Sequence, residues 1–136
     1  MTKILVVDDE PLNCRLVKEF LAGKAECDTC FSGEEALDKY NASVKENNPY
    51  DLVLLDVAMP KMDGLTVLEK IRSEEDTRGI KLGCGIPVII LTAVKNSFMS
   101  AFKKGAEEYI LKPVARDALF KKIDEVLSKK KQAVSG

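Results

Sequence analysis

The chain has 136 residues, 46% hydrophobic and 32% charged, enough for one domain with one core and too few for two ordinary ones. Its 21 basic and 22 acidic residues leave a formal net charge of -1, so no global positive field is available to hold nucleic acid. No apolar run approaches the roughly 20 residues of a membrane helix, and Met1-Thr2-Lys3 opens no apolar secretory segment, so the expected setting is cytoplasmic, away from membranes.

Lys3–Val7 predicts a first strand, in which Ile4-Leu5-Val6-Val7 runs straight into Asp8-Asp9. Pro11 stands where the first turn of a helix tolerates proline. Leu12, Leu16-Val17 and Phe20-Leu21 then recur at helical spacing up to Gly23, which predicts a buried stripe. A second strand is expected over about Glu26–Phe31. Ser32 with Glu35 three positions on forms a capping-box pattern, and the helix it opens carries Ala36, Leu37 and Tyr40 before fading into Lys45-Glu46-Asn47-Asn48-Pro49. Leu52–Asp56 reads as the third strand, and Asp63 as the cap of a helix that buries Leu65, Val67-Leu68 and Ile71. Ser73–Gly85, rich in charge and glycine, is longer than most connections and is expected as a surface loop with room for an extra helical turn. Pro87–Leu91 (ending on Thr92), Asn96–Lys104, Glu108–Leu111 and about Arg116–Lys130 predict strand, helix, strand and helix. Residues 131–136 are expected to fray as a flexible tail.

The alternation of strands and helices predicts an α/β fold with right-handed crossovers and helices on both sheet faces. Strands one, three and four are nearly continuous Val, Ile and Leu, as buried parallel strands should be. Five such units fit a doubly wound five-stranded parallel sheet of flavodoxin-like order 2-1-3-4-5, with five helices.

The absence of histidine excludes Ser-His-Asp and Cys-His mechanisms and any phosphohistidine on this chain. Cys27-Asp28-Thr29-Cys30 has C-x-x-C spacing, but there is no second pair and no histidine to complete a zinc site. Both cysteines fall in a predicted strand at an odd offset, which points them to opposite faces. The expected reading for them is small, partly buried residues.

Ligands of open parallel sheets bind beyond the carboxyl ends of the strands. Three predicted strands end there on Asp8-Asp9, Asp56 and Thr92, and Lys112 follows the fifth. Three carboxylates so close repel unless a cation neutralises them, and all-oxygen ligation suits Mg²⁺. A lysine and a hydroxyl beside them suit a phosphoryl group in transfer.

Val6-Val7-Asp8-Asp9-Glu10-Pro11, Leu55-Asp56-Val57-Ala58-Met59-Pro60-Lys61-Met62-Asp63-Gly64, Leu91-Thr92-Ala93 and Gly105-Ala106-Glu107-Glu108-Tyr109-Ile110-Leu111-Lys112-Pro113 stand in this order along the chain. With these motifs the chain resembles the receiver domain of two-component response regulators, from Lys3 to about Leu127, and is expected to be a stand-alone receiver over residues 1–130. The resemblance implies that Asp56 accepts the phosphoryl group from a phosphohistidine on a sensor histidine kinase or a histidine phosphotransfer protein. It implies Mg²⁺ held by Asp9 directly, Asp8 through water, Asp56 and the Ala58 carbonyl, with Lys112 and Thr92 on the phosphoryl oxygens. It implies a cis Lys112-Pro113 bond and a switch in which Thr92 moves toward the phosphate and the Tyr109 ring turns into the vacated space. The face built from the fourth helix, fifth strand and fifth helix would change, and an unidentified downstream protein would read it, with the chain a monomer or a phosphorylation-dependent dimer. On that face Phe98 and Phe102 are expected to be core and Met99 and Lys103 exposed.

Ala58 and Val94, two residues beyond Asp56 and Thr92, lack the polar side chains that would orient an attacking water, so slow dephosphorylation is expected. The chain would catalyse only its own phosphorylation and dephosphorylation. A Mg²⁺-dependent phosphohydrolase with an aspartyl-phosphate intermediate is the alternative, but Asp56-Val57-Ala58 lacks the second carboxylate such enzymes place two residues on. A flavodoxin-like cofactor binder is opposed by acidic residues at the sheet edge. A DNA-binding regulator is opposed by the lack of anything beyond Lys129-Lys130-Lys131 and a short tail.

Overall fold

The computed structural model describes residues 2–81, 83–93 and 98–135. Its elements are β1 (Thr2–Val7), α1 (Pro11–Phe20), β2 (Ala25–Cys30), α2 (Gly33–Lys45), β3 (Leu52–Asp56), α3 (Gly64–Thr77), β4 (Val88–Thr92), α4 (Phe98–Lys103), β5 (Glu108–Leu111) and α5 (Arg116–Ser135). All strand pairs are parallel and the sheet order is β2-β1-β3-β4-β5, as the alternating pattern predicts.

Side-chain alternation along the strands divides the core in two. Leu5, Val7, Val53, Leu55, Val88 and Ile90 meet Ala36 and Tyr40 of α2, Val67, Leu68 and Ile71 of α3, and Ala101 of α4. Ile4, Val6, Leu52, Leu54, Ile89 and Leu91 meet Cys14, Val17 and Leu21 from α1 and its end, and Leu119, Ile123 and Val126 of α5. Burial of both faces explains why these strands are unbroken apolar runs.

Register then levels the carboxyl ends of the strands. Val7 pairs with Leu55, so Asp8 stands level with Asp56; Asp56 pairs with Leu91, and Thr92 with Leu111, which precedes Lys112. Local caps hold the helix starts that face this edge. Ser32 accepts from the Glu35 N–H at 3.1 Å, while Glu35 reaches back to the Phe31 N–H at 2.7 Å. Asp63 accepts from the Thr66 N–H at 2.8 Å, the N-cap expected of it.

Three expectations need correction. Leu12 and Leu16 do not form the buried stripe of α1: they are 77% and 38% exposed. Val17 and Leu21 form it as expected, with Cys14 in place of the other two, because the helix begins at Pro11 and puts that i, i+3, i+7 row toward the sheet. Phe102 is 58% exposed rather than core, and Phe98 only half-buried, because Ala101 takes the inward position of α4. Ser73–Gly85 divides as expected: α3 takes its first residues, to Thr77, and its other described residues form a loop. There Glu75 is buried, pairs with Arg72 at 2.7 Å and accepts the Ile86 N–H at 2.6 Å, which anchors the connection at the amino end of β4, far from the aspartates. Finally, α5 continues to Ser135, through residues expected as a tail. Val94, and the predicted start of α4 at Asn96, lie outside the described residues.

Cys27 and Cys30 do lie on opposite faces of β2, one in each half of the core. Both are buried free thiols, and burial pushes Cys30 up to about 12, which leaves no reactive pair.

Candidate functional site

The carboxyl ends of the central strands deliver polar groups to the level edge. Asp8 and Asp56 are buried at 1% and 3% exposure, and Asp9 beside them is half-buried. Carboxylate oxygens of all three lie within 4.8 Å of one another. Lys112 closes the group, with Nζ 3.0 Å from Asp8 Oδ2 and 3.2 Å from Asp56 Oδ1. Thr92 is buried at the end of β4, and its carbonyl accepts the Lys112 N–H at 2.8 Å. Asp9, Glu10, Asp56, Ala58, Thr92 and Lys112 line one crevice open to solvent. The residues singled out from sequence are thus brought together.

Backbone donors orient the carboxylates. The Glu10 N–H donates to Asp8 Oδ1 at 3.0 Å, and the Ala58 N–H to Asp56 Oδ1 at 3.3 Å. The β3–α3 turn is drawn tight by the Gly64 N–H on the Val57 carbonyl at 2.9 Å. Gly64 is required there, because a Cβ would lie 2.2 Å from the Asp56 carbonyl oxygen. Lys61 in the same turn takes φ +67°, a left-handed conformation. The Lys112-Pro113 bond is cis, as expected.

The charges strain against one another. Burial first, and then the Asp8 charge, push Asp56 up to about 6; Lys112 and the Ala58 N–H pull the other way. Burial alone would lower Lys112, but its bond to Asp8 and the charges of Asp56 and Asp8 leave it raised above an ordinary lysine. Among the described residues, Asp8 Oδ2 has no donor beyond that ammonium. A cluster of carboxylates with a buried oxygen fits a hard divalent ion, whose preferred ligands are oxygens.

One contact was not legible in the sequence. The Cys14 thiol on α1 donates to the Asp8 carbonyl at 3.4 Å and lies 3.8 Å from the Cys30 carbonyl. Its only signal was helical phase, since Cys14 falls on the row that faces the strand ends. Tyr109 is half-buried on β5, its ring centroid 4.7 Å from that of Phe98 and 5.7 Å from Lys122 Nζ.

Among the described residues no helix is long and apolar enough to cross a membrane. The family model for the response regulator receiver domain matches residues 4–124. The response regulator ArlR of Staphylococcus haemolyticus is 32% identical over 135 residues, covering 97% of this chain and 55% of ArlR. The regulatory protein VanRB of Enterococcus faecalis is 32% identical over 128 residues, covering 92% of this chain and 52% of its own length. The chain therefore spans about half the length of the curated relatives it matches. Among solved structures, the chemotaxis protein CheY4 of Vibrio cholerae superposes with a TM-score of 0.76 at 26% identity, over 93% of this chain and 98% of its own. A CheY-like receiver domain protein from Methanospirillum hungatei does so with a TM-score of 0.79 at 27% identity, over 98% of both chains.

Proposed function

The chain belongs to the response regulator receiver family, a family of signalling modules rather than ordinary turnover enzymes, and from that premise we propose that Asp56 accepts a phosphoryl group from the phosphohistidine of a partner kinase or phosphotransfer protein. The observation that carries this reading is the bridge of Lys112 between Asp8 and Asp56, at 3.0 and 3.2 Å, inside a cluster of three carboxylates.

Asp56 is the acceptor because its carboxylate is the central one, on the middle strand of the sheet, with one oxygen held by the Ala58 N–H. Its free electron pair attacks phosphorus; an O–P bond forms as the P–N bond breaks, and the imidazole leaves with the bonding pair. Lys112, relieved of Asp56 as that charge is esterified, turns its ammonium to the phosphoryl oxygens, and the Thr92 hydroxyl donates to them. Asp8, Asp9, Asp56 and the Ala58 carbonyl would hold Mg²⁺, which when bound neutralises charge on the transferring oxygens.

The added group carries roughly -2 charge. Thr92 and Tyr109 pass its presence to the face of α4, β5 and α5, where Met99, Phe102 and Leu111 are exposed. A downstream protein or a second phosphorylated copy would dock there. The absence of a second carboxylate at Ala58 favours this reading over a phosphohydrolase.

The test is incubation of wild type and Asp56→Asn with acetyl phosphate and Mg²⁺, read by intact mass. One added phosphoryl group on wild type alone is the expected result. No addition to wild type, or equal addition to both, overturns the assignment.

A further inference from the structure

The main chain at Asp8 is held from more sides than a strand end requires. Its N–H donates to the Cys30 carbonyl at 3.1 Å, continuing the β1–β2 ladder by one residue. Its Oδ1 accepts the Glu10 N–H at 3.0 Å. Its carbonyl, beyond the last ladder pair, accepts the Cys14 thiol at 3.4 Å, and the same sulfur lies 3.8 Å from the Cys30 carbonyl. Cys14 is 2% exposed, so no solvent competes for that proton. A thiol is an ordinary, if weak, donor.

The Asp8 carbonyl shares one rigid peptide plane with the Asp9 nitrogen. Whatever fixes the rotation of that plane also fixes the direction in which the Asp9 Cα and Cβ leave it. We infer that Cys14 is a positioning residue for the cation site: its thiol, bonded to the Asp8 carbonyl from α1, sets the peptide that aims Asp8 and Asp9 at one point. The inference rests on the reading of Asp8 and Asp9 as cation ligands. It gives α1 a part in the site that none of its exposed residues supplies. Partners that orient metal ligands act through the ligand rather than the metal, and their loss typically weakens binding roughly ten-fold or more.

The plainer role, a small apolar side chain packed beside Val17 and Leu21, predicts a different outcome. Threonine and valine have nearly the same shape and differ in one donor, so Cys14→Thr and Cys14→Val share any packing cost. The experiment is calorimetric titration of MgCl₂ into unphosphorylated full chain, with urea midpoints measured alongside. Cys14→Val should bind Mg²⁺ roughly ten-fold more weakly than wild type, and Cys14→Thr within about three-fold of it. Equal affinities for the two variants overturn the inference while leaving the cation site standing. Wild type that takes up no Mg²⁺ overturns the cation reading, and the inference with it. If the larger side chains prevent folding, Cys14→Ser against Cys14→Ala makes the same comparison with smaller ones, and the same outcomes decide.

Discussion

Lys112 Nζ, beyond the end of β5, lies 3.0 Å from Asp8 Oδ2, beyond the end of β1, although β3 and β4 stand between the two strands. Three strand spacings come to about 14 Å, and the side chains make that span, because the Lys112 N–H still bonds the Thr92 carbonyl of β4 at 2.8 Å. The ammonium compensates charge that the strand ends bring together. Replacing it by an apolar chain of similar length, Lys112→Met, leaves Asp8 and Asp56 buried and uncompensated. The metal-free protein should lose about 3 kcal/mol at pH 7, measured by urea unfolding, and regain part of it on acidification. An unchanged midpoint at pH 7 would contradict the compensating role.

Asp56 titrates at about 6 in the folded chain against an ordinary 3.8. The native state therefore binds this proton more tightly than the unfolded chain does. Its contribution makes metal-free protein more stable as pH falls from about 6 toward 4, and lowers stability above 6. Asp56→Asn removes the penalty. It should raise stability at pH 7 by about 1–2 kcal/mol without metal. Urea midpoints at pH 5 and 7 check both signs: the gain should shrink at pH 5.

Ala58 is exposed at the mouth of the crevice and offers no side-chain group to orient water. The phosphorylated protein should therefore persist for minutes or longer at neutral pH. Ala58→Asn, which supplies such a group, should speed hydrolysis by roughly ten-fold. Loss of the phosphoryl mass adduct over time reads both rates, and a wild-type half-life of seconds would rule the argument out.

Gly64 packs against the carbonyl of Asp56 with no room for a Cβ. Gly64→Ala should cost about 2 kcal/mol or more by forcing the β3–α3 turn open. Because the displaced atom belongs to Asp56, labelling by acetyl phosphate should fall as well. A variant with wild-type stability and labelling would show that the turn relaxes freely.

Lys61 takes its left-handed conformation on an exposed turn. Asparagine adopts that region more readily, so Lys61→Asn should stabilise the chain by about 0.5–1 kcal/mol. A small rise in melting temperature with unchanged labelling is the expected readout; a fall would place a contact of the lysine above its strain.

Some of this architecture was legible before folding because it depends on neighbours in the chain. Val/Ile/Leu runs that stop on Asp8, Asp56 and Thr92 mark buried strands and their ends, and Ser32 and Asp63 mark helix starts through caps that close within three residues. Phe102 and Leu12 depart from their expected burial for the opposite reason. Both are apolar and at helical spacing, but which side of a short helix turns inward depends on what it packs against. On α4 the small Ala101 fits the sheet, and on α1 Cys14 does. Hydrophobicity ranks residues; it does not choose among apolar faces of one helix.

The sequence by itself determined which chemical groups stand at strand ends, since strand breaks and caps are local and follow from side-chain type. Tertiary structure decided which of those groups meet. Asp8, Asp56 and Lys112 are far apart along the chain, and only parallel register at a common edge brings their atoms within 3.0 to 3.2 Å. The same is true of the Cys14 thiol on the Asp8 carbonyl, a contact made by the angle at which α1 lies on the sheet. Repulsion, pairing and a raised carboxyl pKa are properties of distance, and distance between strands exists only once the sheet has formed.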